Sequence, residues 1–429
     1  MLRSITGAGN RATLERIGRD LPIRVHAVPS GTPVLDWTVP EEWVVREAHI
    51  TGPNGRRIVD LADHALHLVG YSRPFRGTMS LDELQAHLHS LPDQPDAIPY
   101  RTSYYADGWG FCLRHRDRLA LPPGDYAVVV DTELIDGTMA YGELVIPGET
   151  TDEVLLSTHI CHPGLANDNC SGIVALVELG RRLLAGPSRR LTARLVFAPG
   201  TIGAITWLAT HTEAVPRVAH GLVVTGLGDS GSLHYKRSRR GSTITDRAAA
   251  LVLRERGLGE RMIDFTPYGY DERQYCSPGY DLAVGRLTRS LHGEFPEYHT
   301  SLDDISFVSE AQILDAVDAL ETTLLVLDTN ATYVNQAPFG EPQLGRRGLY
   351  RTLGSTMDRA SVEMALLWVL NLSDGTASLI DIAGRADLPY RAVLDAARAL
   401  VAADLLRPID AMPHPYPHPR TSDDRPRFS

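Results

Sequence analysis

The chain has 429 residues, 43% of them hydrophobic and 22% charged, and a formal net charge of -11. That balance is globular and excludes a fibrous or wholly disordered chain, while the length calls for two or three domains. The acidic excess argues against a polyanion such as nucleic acid as the main partner, because phosphate binding needs a basic surface.

Cys112, Cys161, Cys170 and Cys276 form no CxxC pair or evenly spaced framework, which suits reduced thiols in a cytoplasm. The first twenty residues hold no apolar signal-like run, and no stretch approaches a membrane span, so the expected location is cytoplasmic with no membrane partner.

In chain order, residues 11 to 19 (RATLERIGR) read as a short amphipathic helix after a Gly-containing entry. From 38 to 148 the text changes to short β-like runs (WVVREAHI, RRIVDLA, GFCLRH, DYAVVVDTEL) separated by PNG, LPDQPD, DGWG and LPPGD turns. This predicts a small β-rich insertion.

From about 151 strands and helices alternate: EVLLSTHI, a helix from Ser171 to about Ala185, LTARLVFAP, a helix near 202 to 212, HGLVVTG, a helix near 244 to 256, DLAVGRL, and a helix near 309 to 329. Such alternation predicts an α/β fold whose mostly parallel sheet is covered by helices on both faces, with chemistry at the carboxyl ends of its strands. The expected domains are therefore 1–37 with 149–335 as the main α/β domain, 38–148 as the insertion, and 345–408 as a winged-helix unit. Residues 409–429, Pro- and His-rich, are expected to be a disordered tail. The C-terminal helices at 358–371, 376–384 and 389–403 have helix-turn-helix spacing, but YRAVLDAARALVAADLL sets Arg391 and Arg398 against Asp395 and Asp404. A packing or dimerisation module fits it better than a DNA reader, and leaves this unit or the insertion as the surface for a homo-oligomer.

Three clusters carry chemistry. The string 157-STHICHPGLANDNCSG-172 places His159, Cys161, His162 and Asp168 in a strand-to-helix loop. Imidazole and carboxylate at a strand end suit zinc; a lone buried histidine would be the blander explanation, which a cluster makes weaker. The string 292-HGEFPEYHTSLDD-304 brings Glu294, Glu297, Tyr298, His299 and Asp303, and 268-YGYDERQYCSPG-279 brings Asp271, Glu272 and Arg273. Their carboxylates can bind metal, orient a ligand histidine or take a proton from bound water, or else form an ion-pair network around Arg273. Tyr104, Tyr105 and Trp109 in TSYYADGWGF, with Tyr268, Tyr270 and Tyr298, are core residues or substrate contacts.

On the strings HICHPGLANDNCSG, YGYDERQYCSPG and EYHTSLDD, the chain resembles the zinc aminopeptidase superfamily of leucyl aminopeptidases, glutamate carboxypeptidases and glutaminyl cyclases. Up to about residue 408 it is most similar to bacterial aminopeptidase-like proteins with an inserted β domain and a C-terminal winged helix. The resemblance implies metal ligands at His159, in the superfamily's His-x-Asp string, at Asp168 of DNCSG and at His299 of HTS-x-D. It also implies paired glutamates at the end of LTARLVFAP, where this chain has Gly200 and Thr201, and a fourth acidic ligand near Thr225 and Gly226, with Asp229 close by. One zinc is then expected, with two as the alternative, held by Asp168, His299 and either His162 or His159.

The expected activity is hydrolysis of an amide bond, as an aminopeptidase on a short peptide or aminoacyl conjugate. Glu272 or Glu294 is the stand-in general base, and Glu297, Tyr298, Asp271, Arg273 and Tyr105 are the substrate contacts. The rivals are a deacylase of a small metabolite or sugar intermediate, and an inactive scaffold that kept the fold without the glutamate pair.

Overall fold

The computed structural model describes residues 1–291, 293–349 and 359–409, so the tail expected at 409–429, with His414 and His418, lies outside the described residues apart from Ile409. The described chain divides into two compact units, residues 1–241 with 263–318, and 242–262 with the C-terminal part from 319.

The first unit is built on an eight-stranded sheet. Its strands are β1 (Arg24–Pro29), β2 (Thr138–Ile146), β3 (Glu153–His159), β4 (Thr192–Ala198), β5 (Val218–Val224), β6 (His234–Lys236), the edge pair Met262–Ile263, and β7 (Val284–Thr288). The order is β1-β2-β4-β3-β5-β7-β6, with Met262–Ile263 at the outer edge. β4, β3, β5 and β7 run parallel, whereas β2 joins β4, β1 joins β2 and β6 joins β7 antiparallel. The sheet is thus mixed, parallel at its centre and antiparallel at its flanks.

Every residue of β3 and β4 is buried, as a central strand covered on both faces requires. Helix α2 (Gly172–Ala185) supplies part of that cover, and helix α1 (Ala8–Gly18) packs on β2. In α2 the buried residues Ile173, Leu176, Leu179, Gly180 and Leu183 recur every three to four positions, one stripe of an amphipathic helix. Helix α3 (Ile202–Thr210) is buried on nearly all sides, from Ile202 through Leu208.

The stretch expected as an insertion holds a four-stranded antiparallel sheet, in which Glu42–Thr51 lies between Arg57–Asp60 and Asp125–Ile135, and Phe75–Ser80 closes the far side. The boundary expected at residue 148 is displaced: β2 follows Asp125–Ile135 after a two-residue turn and pairs in the main sheet. Hydrogen bonding to β4, which composition does not reveal, decides its allegiance.

In the second unit, a three-stranded antiparallel sheet (Asp374–Ser378, Thr332–Asn335, Leu406–Pro408) accompanies the helices Arg359–Leu372, Leu379–Ala386 and Tyr390–Ala402. The helix Ile244–Glu255, expected in the main domain, belongs here. Arg247 pairs with Asp381, and the Tyr390 backbone N–H donates to Glu255 Oε1 at 2.6 Å. Among the described residues no helix is long and apolar enough to cross a membrane.

Candidate metal centre

β3 ends at His159, and the loop that follows turns back beneath it so that Asp168 lies under the strand end. His159 Nε2 is 2.8 Å from Asp168 Oδ1, and His299 Nε2 is 3.0 Å from Asp168 Oδ2. His162 Nε2 stands 3.8 Å from the same Oδ2. The three imidazoles proposed from sequence therefore converge on one carboxylate, which is 1% exposed.

Second contacts hold this arrangement. The Asn167 and Asp168 backbone N–H groups donate to Asp303 at 2.5 and 2.9 Å. Asn169 Nδ2 donates to Thr158 Oγ1 and to the His159 carbonyl. Ser171 Oγ donates to the Asn167 carbonyl and accepts from the Leu227 N–H. Asp303 thus ties the last cluster to the first across 135 residues of sequence.

Burial would raise the Asp168 carboxyl, but His162, His159 and His299 hold it well below the usual carboxylate range. Burial drives the His162 imidazole well below its ordinary value, against the pull of Asp168. Burial also pushes Asp303 up to about 6, in spite of its backbone donors, and the Cys161 thiol up to about 12.

A cavity of about 420 Å³ opens above these groups, lined by His159, His162 and His299 together with Thr201, Tyr270 and Asp271. Tyr100 faces both His162 and His299, each at 5.0 Å between ring centres, Tyr270 stacks on His159 at 5.1 Å and Tyr298 on His299 at 3.9 Å. Tyr100, Tyr270 and Tyr298 are all pushed up by burial, so they stand as neutral phenols. Trp37 and Tyr105 are exposed at the rim and meet edge to face at 5.3 Å. Tyr100 and Trp37 went unnoticed in the sequence. Tyr100 reaches the site because its backbone N–H bonds to the His299 carbonyl at 2.8 Å, a pairing without a local sequence signal.

Thr201, His299 and Tyr105 line the cavity with φ of 62°, 55° and 59°. For residues with a Cβ this left-handed region costs about 1–3 kcal/mol each, and such residues concentrate at functional sites.

The other proposed residues are distributed differently. Asp271 is buried on the cavity wall, where its Oδ1 accepts from the Thr201 N–H at 2.6 Å. Its other oxygen has no hydrogen bond among the described residues, and burial raises its pKa. Glu272, expected as a base, does not line the cavity: its carboxylate is fully buried, 2.9 Å from Lys236 Nζ and 3.6 Å from Arg286. The ion-pair network expected around Arg273 is thus centred on Lys236 and Arg286. Arg273 instead donates to Thr201 Oγ1 at 3.4 Å. Glu294, the alternative base, is exposed and lines a separate pocket on the other side of His299, and Glu297 lines neither pocket. Asp229 is no spare ligand, since it accepts from Asn167 Nδ2, Ser290 Oγ and the Gly231 N–H. Gly200 and Thr201 leave the end of β4 without a carboxylate of its own, and Asp271 stands beside it.

A family model described as a domain of unknown function, DUF4910, matches residues 1–330, and a winged helix-turn-helix model matches 331–408. A Clostridium acetobutylicum protein with the provisional name polysaccharide biosynthesis protein with aminopeptidase-like domain is 42% identical over 94% of this chain and 93% of its own. A crystal structure of a provisionally named peptidase from the same organism superposes with a TM-score of 0.89 at 40% identity, covering 95% of this chain and 93% of that one. The zinc aminopeptidase BSAP of Bacillus subtilis shares the fold, with a TM-score of 0.57 at 15% identity over 76% of this chain and 90% of that one. The fold is therefore that of the zinc aminopeptidases, followed by a C-terminal winged helix, and the chain belongs to the DUF4910 family.

Proposed function

We propose that this protein is a zinc-dependent amide hydrolase of the aminopeptidase kind, acting on a short peptide or aminoacyl conjugate. The observation that carries this reading is the convergence of three imidazole Nε2 atoms on both oxygens of one buried carboxylate, beneath an aromatic-lined cavity. Three nitrogens and one oxygen make a donor set that zinc accepts. An ionised Asp168 and an uncharged His162 are the forms a metal needs. His159, His162, His299 and Asp168 would hold the ion. When bound, it would polarise a scissile carbonyl and lower the pKa of a water to about 7.

The proton acceptor in this reading is Asp271, a carboxylate on the cavity wall. Thr201 orients it through one oxygen, the other is uncommitted, and burial moves its pKa toward the range where a carboxyl exchanges protons near neutrality. Neutral Tyr100, Tyr270 and Tyr298 can donate to a developing oxyanion. A cavity of about 420 Å³ suits a small substrate.

A second reading, removal of an acyl group from a sugar intermediate, is favoured by the exposed aromatic rings of Trp37 and Tyr105 at the rim, and by the name of the Clostridium relative. Metal analysis of protein purified without added metal tests the shared centre: His299→Ala is expected to hold about one zinc per chain fewer than wild type. Paired amide substrates with free and acetylated α-amines then separate the readings. Cleavage that demands the free amine supports the aminopeptidase, cleavage of N-acyl amino sugars supports the deacylase, and no metal in either protein leaves the scaffold.

A further inference from the structure

We infer that the protein has a second divalent-cation site, remote from the cavity, formed by His26 on β1, Glu143 on β2 and His211 immediately after α3. His26 Nε2 lies 3.4 Å from Glu143 Oε2, and His211 Nε2 lies 3.5 Å from Glu143 Oε1. One donor atom from each residue can be chosen so that all three fall within 4.8 Å of one another.

The hydrogen bonds around the cluster leave it incomplete. Glu143 Oε1 accepts from Arg194 Nη1 at 2.6 Å and from Trp207 Nε1 at 2.9 Å, whereas Oε2 accepts no hydrogen bond among the described residues. His26 Nε2 is buried and likewise has no hydrogen-bond partner. The Thr210 hydroxyl has its nearest acceptor in the Thr206 carbonyl, 2.8 Å away, so its proton points there. His211 Nδ1, 3.1 Å from that hydroxyl oxygen and 3.2 Å from the Trp207 carbonyl, is then placed to donate its N–H to that carbonyl, with Nε2 turned toward Glu143.

Two imidazole nitrogens thus face one carboxylate from either side. Burial lowers the basicity of His26, which favours its uncharged, ligating form. A cation between the three groups would take one nitrogen from each imidazole and Glu143 Oε2 as ligands, and the Trp207 carbonyl on His211 Nδ1 is the kind of outer contact that fixes a ligand histidine. The rings are already oriented: His26 stacks on Tyr141 at 4.8 Å with 5° between planes, and His211 on Trp207 at 5.2 Å with 13°. Arg194 occupies Glu143 Oε1 and reaches Glu153 at 2.5 and 2.9 Å, which leaves Oε2 as the carboxylate oxygen for a cation. Side-chain exposures of 18% for His26 and 16% for His211 leave a side open for entry and for a water ligand. Two nitrogens and one oxygen select zinc or a similar borderline ion. The ion would join β1 and β2 to the end of α3, whose first residue, Ile202, lines the cavity.

The test is zinc titration of the full-length, metal-stripped protein carrying His299→Ala, followed by mass spectrometry and by the absorption spectrum of the cobalt(II) form. One equivalent is expected to remain, with a spectrum of low-coordinate cobalt. Adding His26→Gln or His211→Gln is expected to weaken it by at least about 10-fold and to abolish the zinc-induced rise in melting temperature. Circular dichroism of the metal-free variants checks that they remain folded. The inference is overturned if the His299→Ala protein takes up no zinc, or if the glutamine variants keep the equivalent. Wild type that binds a single equivalent, lost in His299→Ala, would leave the proposed hydrolase centre standing while removing this second site.

Discussion

Neighbouring residues Asp271 and Glu272 have opposite fates. They open a helix of one turn, Glu272–Tyr275, where consecutive side chains point in different directions. Asp271 reaches the cavity wall, and Glu272 turns behind Gly269 to Lys236 and Arg286. Asp271→Asn is therefore expected to keep its zinc while kcat falls by about 10²–10⁴, as metal analysis and steady-state kinetics on the same preparation would show. Glu272→Gln leaves buried Lys236 and Arg286 without their counter-charge, and is expected to cost about 3–5 kcal/mol in urea unfolding with KM unchanged. If Glu272→Gln instead abolished turnover in a fully stable protein, the two roles would have to be exchanged. The motif strings brought both carboxylates into view. Which one faces the cavity depends on the φ/ψ of a single turn, which residue type does not specify.

The loop between β3 and α2 shows how an element builds the site. A Cβ at Gly172 would lie 2.3 Å from Asn169 Oδ1 and 2.8 Å from the Val224 carbonyl of β5, so only glycine lets α2 start this close to the sheet. Gly172→Ala is expected to cost about 1–3 kcal/mol of stability. It should also weaken zinc binding, because Asn169 holds the Thr158–His159 strand end. Thermal unfolding and zinc titration check both, and a variant with wild-type affinity would show that Asn169 does not position the centre. Much of this element was legible: the helix was expected from Ser171 to about Ala185 and runs Gly172–Ala185. The part played by Asp303 was not, since its bonds to the Asn167 and Asp168 amides join segments 135 and 136 residues apart.

Across the whole molecule, the second unit carries a winged helix whose helix-turn-helix arginines lie beside an acidic residue. On its helix Tyr390–Ala402, Arg391 pairs with Asp395 at 3.3 Å and Arg398 approaches the same carboxylate at 4.0 Å. The chain as a whole is acidic, at -11. Fluorescence anisotropy with a 20-base-pair duplex at physiological salt is expected to show binding no tighter than the non-specific range of about 10⁻⁴–10⁻⁶ M. A tighter, sequence-dependent and steeply salt-dependent complex would make this unit a DNA reader. The sequence by itself determined the α/β class, the helix-turn-helix spacing and the three strings that carry the candidate site residues, because apolar periodicity and residue chemistry are local properties. Tertiary structure alone decided that β2 joins the main sheet and that Ile244–Glu255 belongs with the C-terminal unit. It also decided that Asp271, not Glu272 or Glu294, faces the cavity and that His26, Glu143 and His211 meet. These outcomes rest on hydrogen bonds and close approaches between segments distant in sequence, which no local pattern encodes.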